Sequence, residues 1–146
     1  MNNVADLTHK EYWQELLRTQ KEKELVEALE AAPVVEVADF LSQLLPIKTL
    51  EILEKLSDGA QGAVFTEFDD PYQLDLYYLA SKRQFANIFS NMPSGYRADF
   101  YQKLDGKEQA RLLPYLIKRI REDVIALSAY PAETAGSIMS TDFATV

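Results

Sequence analysis

Cysteine is absent from this chain of 146 residues, and histidine occurs once. Without cysteine the protein has no disulfide, no thiolate metal site and no cysteine nucleophile. Any histidine-dependent catalytic or metal site would have to use His9, which lies beside Lys10 near the start of a predicted terminal helix, a place that favours a solvated side chain. Carboxylates are therefore the only abundant side chains with catalytic or metal-binding chemistry.

Glycine is scarce, and long apolar runs are missing. The five glycines do not form a phosphate-binding loop. No stretch reaches the roughly 20 apolar residues that span a bilayer, and the opening residues lack the apolar core of a signal peptide. We expect the chain as given to be soluble and intracellular, and we expect it not to be an enzyme.

Positive charge is also in short supply, with 15 Lys and Arg against 23 Asp and Glu, a net charge of −8. A surface of that sign repels the phosphates of nucleic acids and anionic lipids. It attracts cations instead. The composition therefore predicts no nucleic-acid partner and favours a protein that responds to a divalent ion.

Helix formers dominate what is present, and apolar residues recur at helical spacing in short bursts. Capping-box spacing occurs at Thr8–Glu11 and Ser81–Gln84, and Asp105 precedes Glu108 in the same way. The sequence predicts an all-α fold over residues 1–129, a superhelix (α-solenoid) of about ten short helices. Residues 37–68 align without gaps with residues 85–116 at an offset of 48, which indicates stacked helical hairpins.

Aromatic residues fall at helical spacings through the second half of the chain. They could stack nucleotide bases, but their spacing and the acidic net charge favour packing in the core. The set comprises Tyr72, Tyr77, Tyr78, Phe85, Phe89, Tyr96, Phe100 and Tyr101.

Carboxylates gather around one predicted helix junction, where Glu67, Asp69, Asp70 and Asp75 follow one another. Asp70 has an alternative interpretation as a helix cap before Pro71. Taken together, unpaired carboxylates would repel another acidic surface until a hard cation bridges the two. Mg²⁺ suits this task because it keeps several waters and needs only one or two carboxylates from each side.

The segment YPAETAGSIMSTDFATV at residues 130–146 carries a resemblance to a known family. It is similar to the junction at which the amino-terminal helical domain of MgtE magnesium transporters leads into a pair of CBS domains. The matching residues are Tyr130, Pro131, Thr134, Ala135, Gly136, Ile138 and Met139. The resemblance implies that residues 130–146 are a linker and the truncated beginning of a CBS domain.

The resemblance also implies a function. In this family the helical domain docks on the CBS domains of the same protein when Mg²⁺ is high, and the transmembrane pore is then held closed. The chain would lie on the cytoplasmic face of the membrane, within a full-length homodimer, and alone would bind Mg²⁺ weakly. Asp99, a candidate Mg²⁺ ligand, matches the Asp of the family's Ala-Ala-Asp-Leu-Leu stretch, and Gly136 matches the family's hinge glycine. Gly95 and Tyr96 replace the acidic pair that precedes this stretch in the family, and Arg97 adds a positive charge. Glu67, Asp69 and Asp70 are the further candidate Mg²⁺ ligands.

Two alternatives stay open from the residues alone. The first is an α-solenoid adaptor that binds a protein or peptide and has no ion role, because a similar helical module precedes the rod of a flagellar motor switch protein. The second is an enzyme, which would depend on carboxylate chemistry alone.

Overall fold

A computed structural model describes residues 9–129, and the part of the chain that it describes is entirely helical, with no strand. The all-α prediction of about ten short helices is confirmed, whereas the predicted CBS start at residues 130–146 lies outside the described residues. The helices are α1 (His9–Arg18), α2 (Glu22–Glu30), α3 (Val34–Leu41), α4 (Pro46–Lys55), α5 (Asp58–Glu67), α6 (Asp70–Leu79), α7 (Lys82–Ser90), α8 (Ser94–Lys103), α9 (Gly106–Leu112) and α10 (Lys118–Ser128), with a 3-10 turn at Leu113–Tyr115 between α9 and α10.

The helices begin at a constant spacing of 12 residues from α2 to α10. The offset of 48 found in the sequence therefore equals four helices, and every helix from α3 to α6 has its counterpart from α7 to α10. We number the positions of this repeat from the first residue of each helix, so that Glu22 and Val34 both occupy position one. The internal repeat is confirmed, and its underlying period is shorter than the sequence alignment indicated.

Burial follows the same period. In α3, α4, α5, α7 and α8, positions four, five, seven and eight are all buried, as in Val37, Ala38, Phe40 and Leu41 of α3. Two adjacent pairs separated by one exposed residue form a stripe along one side of a helix. Position eleven adds a buried apolar residue after most helices: Leu56, Phe68, Ala80, Met92, Leu104 and Leu116.

Each helix follows its predecessor after a tight connection, and four of the residues that precede a helix cap it with their side chains. Ser81 accepts a hydrogen bond from the Gln84 amide at 3.0 Å, and Asp105 accepts one from the Glu108 amide at 2.9 Å, which confirms both predicted caps. Before α6 the capping carboxylate is Asp69, not Asp70 as the alternative interpretation supposed. Thr8 of the first predicted cap lies outside the described residues.

Polar side chains at position four donate hydrogen bonds to backbone carbonyl groups at the end of a preceding helix. Thr49 Oγ1 donates to the Leu41 carbonyl at 2.8 Å, and Gln73 Nε2 donates to the Phe65 carbonyl at 2.9 Å. The other polar residues at position four also donate to carbonyl groups that precede their own helix. Gln109 donates to Tyr101, and Gln61, Arg97 and Arg121 donate to Leu56, Met92 and Leu116. Since the last carbonyls of a helix have no partner within it, these side chains satisfy groups that would otherwise be buried unpaired.

The described part of the chain divides into two compact units, residues 9–80 and residues 81–129. In the first unit α3 packs against α5 and α4 against α6; in the second unit α7 packs against α9 and α8 against α10. Within each unit these helices therefore stack on the next but one, and the stacking unit is a hairpin of 24 residues.

Most of the aromatic residues are core residues, as predicted. Phe85, Phe89 and Phe100 form a fully buried cluster in the second unit, with ring centroids 5.3–6.5 Å apart. The packing interpretation is wrong for Tyr78 and Tyr96, which are 58% and 55% exposed. Within residues 9–129, no helix combines the length and the apolar character needed to cross a membrane.

Candidate functional site

The acidic charge is confined to the first unit. Residues 9–80 carry 15 Asp and Glu but 6 Lys and Arg, whereas residues 81–129 carry 5 and 9. The whole-chain charge of −8 therefore conceals a strongly acidic unit and a basic one. The expectation that the whole surface of the protein is negative is therefore wrong for the second unit.

Most cations of the first unit are already engaged by neighbouring carboxylates. Lys10 lies 2.7 Å from Asp39, Lys48 lies 3.3 Å from Glu51, and Lys55 lies 3.0 Å from Glu22. His9 Nδ1 lies 2.8 Å from Glu36, and its ring stacks on Trp13, so the only histidine ties α1 to α3 on an exposed surface. The remaining carboxylates of the unit form an uncompensated surplus.

One position of the repeat collects exposed carboxylates. Position six of every even-numbered helix is acidic, so that an Asp or Glu recurs every 24 residues: Glu27, Glu51, Asp75, Asp99 and Asp123. We call these the position-six carboxylates. Asp75 and Asp99 were both named from the sequence, but the 24-residue spacing that relates them to Glu27, Glu51 and Asp123 was missed, although it is present in the sequence.

The position-six carboxylates differ in what surrounds them. Glu51 pairs with Lys48, and Asp123 lies 2.9 Å from Arg97 Nη2. Glu27, Asp75 and Asp99 are exposed and form no ion pair with the part of the chain that the structure describes. These three are the members that could give oxygen ligands to a cation without first breaking a bridge.

The other predicted ligands are not drawn into one group. Glu67 is the last residue of α5, Asp69 caps α6, and Asp70 is in the first turn of α6. Gly136 lies outside the described residues. Among residues 9–129, no three or more His, Asp and Glu side chains come together in a way that could hold a metal ion.

Arg97 is turned inward rather than toward the surface that the resemblance implied. It is 7% exposed, and its guanidinium donates to the Met92 carbonyl at 2.6 Å and to Asp123 at 2.9 Å. Its Nε has no hydrogen-bond partner. The positive charge at this place therefore neutralises Asp123 and leaves Asp99 on the outer side of α8 exposed.

A buried hydroxyl pair lies close to Asp75. The Tyr72 hydroxyl is 2.7 Å from Thr49 Oγ1 and within 3.0 Å of the carbonyl oxygens of Leu41 and Leu44. Burial raises the pKa of Tyr72; the hydrogen bond between Tyr72 and Thr49 opposes this shift, and the charge of Asp75 adds to it. Burial also raises the pKa of Tyr101.

This arrangement predicts an alkaline loss of stability. A tyrosine whose pKa is higher in the folded than in the unfolded protein stabilises the fold below its ordinary value of about 10, and that contribution is lost as the pH rises through the folded value. Tyr72→Phe should cost about 1 kcal/mol at neutral pH through the lost hydrogen bond. In urea unfolding curves, the difference in the free energy of unfolding between Tyr72→Phe and the parent protein should become smaller above a pH of about 10. Tyr78→Phe, at an exposed tyrosine of the same helix, is the control that should follow the parent curve; an unchanged gap for Tyr72→Phe would contradict the assignment.

A family model and a solved structure each match most of this chain. Residues 32–133 match the family model described as the MgtE intracellular N domain. A search of characterised protein sequences gives no significant match.

Among solved structures, the fold is similar to one described as the soluble part of a magnesium transporter, with a TM-score of 0.78 and 21% sequence identity. The similarity covers 89% of this chain and 52% of that chain, so the present chain spans about half the length of that protein. At this identity the likeness concerns the fold.

Proposed function

Since the chain belongs to the family of MgtE intracellular N domains, we propose that it is the Mg²⁺-sensing and gating domain of a magnesium transporter. It docks on CBS domains of the same full-length protein through Mg²⁺ ions that bridge two acidic surfaces. The observation that carries this proposal is the set of position-six carboxylates, which present exposed oxygens at a regular spacing without completing a metal site.

The arrangement of these carboxylates supports half-sites. The contact between Thr49 and Tyr72 joins α4 and α6, the helices that carry Glu51 and Asp75. Among residues 9–129 no three or more His, Asp and Glu side chains come together in a way that could hold a metal ion, so a Mg²⁺ ion here lacks a complete set of protein ligands. Each carboxylate therefore supplies one or two oxygens, and the other ligands come from water and the opposing surface.

Gating then follows from differential binding. Two acidic surfaces repel each other in the absence of the ion, and the docked state binds Mg²⁺ more tightly because only that state holds both halves of each site. The surplus negative charge of the first unit strengthens both effects. High Mg²⁺ would hold the modules together and keep the pore closed, and low Mg²⁺ would release them.

The partners in this proposal are the CBS and transmembrane domains of the same protein, in a homodimer, with the present chain on the cytoplasmic face of the membrane. The proposed function includes no catalytic step. Asp99 is a ligand together with Glu27 and Asp75, and the junction residues Glu67, Asp69 and Asp70 are the competing set. Gly136 would offer its backbone carbonyl.

We predict that the chain alone binds Mg²⁺ weakly, with a dissociation constant in the millimolar range, because each site is half complete. Isothermal titration calorimetry on the 146-residue chain, with Ca²⁺ as a parallel titrant, measures this directly. A tight, one-to-one Mg²⁺ isotherm would contradict the proposal of shared sites.

A second candidate function has one observation in its favour. Leu45 and Ile47, at the connection from α3 to α4, are 74% and 53% exposed, and Val35, at the start of α3, is 65% exposed. Exposed apolar side chains of this kind are typical of protein-binding surfaces, so an adaptor role without an ion remains a defined alternative. Binding of a protein partner that is unchanged by chelator and is lost in Leu45→Ser would favour it.

A further inference from the structure

The start of α10 forms an exposed edge of the second unit together with the start of α8. Arg97 contacts Asp123 at 2.9 Å, and Gln102 Nε2 donates to the Ser128 carbonyl at 3.0 Å. The first contact joins the early turns of the two helices and the second joins their late turns, so α8 and α10 run side by side in the same direction. Their first turns therefore lie together.

Three large apolar side chains stand exposed at this edge. Ile117 is 60% exposed, Tyr96 is 55% exposed and Tyr115 is 49% exposed. Ile117 precedes α10 at the place where Asp105 precedes α9, yet it makes no side-chain cap. Neither helix capping nor core packing explains an isoleucine here.

Cations follow Ile117 directly in α10. Lys118, Arg119 and Arg121 fall in the first turn or so of α10, where the helix dipole favours negative rather than positive charge. Arg119 is exposed and forms no ion pair with residues 9–129. Lys118 lies 4.0 Å from Glu122 with both side chains well exposed, and Arg121 donates to the Leu116 carbonyl.

The anions nearby do not cancel this charge. Glu122 and Asp123 follow in α10, but Asp123 is engaged by the buried Arg97. Asp99 occupies position six of α8, one turn further from the edge than Tyr96. We define the basic edge as Tyr96, Tyr115, Ile117, Lys118 and Arg119, which are three exposed apolar side chains and two exposed cations.

We infer that the basic edge binds the anionic phospholipid surface of a membrane. Cations with exposed tyrosine and isoleucine beside them are the combination that favours an anionic bilayer interface, where the cations meet phosphate groups and the apolar side chains enter the headgroup boundary. The charge of the second unit is complementary to such a surface. At physiological ionic strength the Debye length is about 8 Å, so charges farther than this from the basic edge contribute little to a local contact.

A membrane is also the surface that the family places within reach. The chain belongs to a family of intracellular domains, and the similar solved structure is part of a magnesium transporter. An acidic protein surface would attract the same cations, and an absence of flotation with anionic vesicles would favour that occupant instead. The inference rests on the family and on the second unit, and it does not depend on Mg²⁺ sensing.

Vesicle flotation tests this inference on the 146-residue chain. The chain should float with phosphatidylcholine vesicles that contain phosphatidylglycerol, should stay behind with pure phosphatidylcholine, and should be released by high salt. Arg119→Glu should weaken the partition at least about fivefold, since each cation near an anionic surface contributes about that factor. Ile117→Ser should weaken it about tenfold through the loss of buried apolar surface.

Matched controls separate the edge from general charge and general hydrophobicity. Lys107→Glu makes the same charge change at position two of α9, and Ile47→Ser makes the same apolar change in the first unit; both should leave flotation within about twofold of the parent chain. Circular dichroism confirms that each variant is folded. Hydrogen exchange should show new protection at residues 115–119 on anionic vesicles.

Three results would overturn the inference: no flotation with anionic vesicles, equal flotation with neutral vesicles, or equal losses in the edge variants and their controls. Flotation is measured in the presence of a chelator, so that Mg²⁺ cannot bridge the position-six carboxylates to lipid phosphates. Flotation that requires Mg²⁺ would also contradict binding through the basic edge. A failure here leaves the proposed gating function standing, since that function is read from Mg²⁺-dependent docking and not from lipid binding.

Discussion

Replacing Asp75 and Asp99 together by asparagine should raise the Mg²⁺ concentration needed for docking in the full-length transporter at least about tenfold. These two position-six carboxylates are exposed and form no ion pair within the described chain. Under the proposed function each offers its oxygens to a bridging ion, so each substitution should weaken Mg²⁺ binding to the docked state more than to the open state. A difference of about 1.4 kcal/mol between the two states moves their ratio tenfold.

The measurement is protection of the full-length protein from limited proteolysis as a function of Mg²⁺. Glu24→Gln combined with Glu54→Gln is the matched control: it removes the same charge from exposed carboxylates at other positions of the repeat. A third variant, Glu67→Gln with Asp70→Asn, tests the helix junction that the sequence singled out. An equal shift in the control would mean that net charge alone matters, and a shift confined to the junction pair would replace the position-six carboxylates by that set.

Replacing Arg97 by alanine should destabilise the second unit by about 3 kcal/mol. The guanidinium is 7% exposed, closes the Met92 carbonyl at 2.6 Å and pairs with Asp123 at 2.9 Å. Its removal leaves a carbonyl without its partner and a carboxylate without its counter-charge. Loss of one member of a fully buried pair costs about 3–5 kcal/mol, and the lower end applies because the Asp123 side chain is 36% exposed.

Arg121→Ala is the matched control, since Arg121 has the same position four in α10 and donates to the Leu116 carbonyl at 3.1 Å. Without a buried ion pair, its loss should cost about 1 kcal/mol. Chemical denaturation followed by circular dichroism measures both variants. The assignment fails if the two substitutions cost the same, and Asp123→Asn in the Arg97→Ala background should restore part of the lost stability, because the uncompensated charge is then gone.

Much of the fold could be predicted because the signals are local. Helix-forming residues, apolar spacing near 3.6 and the caps at Ser81 and Asp105 depend on residues within one turn of each other. The error over Asp69 and Asp70 shows the limit of such signals. Both residues can cap a helix, and the pattern that includes Pro71 does not say which of them has the extended backbone that a cap needs; the structure places Asp69 there.

The repeat was found at four times its helix spacing because single helices differ too much in sequence to align. Position four holds leucine, valine, threonine, glutamine, phenylalanine or arginine in different helices. A polar residue at that position is as useful as an apolar one, since it reaches the carbonyls of the preceding helix. That use depends on the approach of two helices, so it is absent from a pattern of apolar residues.

The sequence by itself determined the helical class, the number of helices, the repeat and the family, since these follow from local spacing and from matched residues. Tertiary structure decided which side of each helix is exposed. It turned Arg97 inward onto Asp123, left Asp75 and Asp99 on the surface, and separated an acidic unit from a basic one. A sequence specifies the net charge of the protein, whereas the fold decides where the individual charges lie on its surface. A bridging ion or a lipid surface responds to that local arrangement of charges.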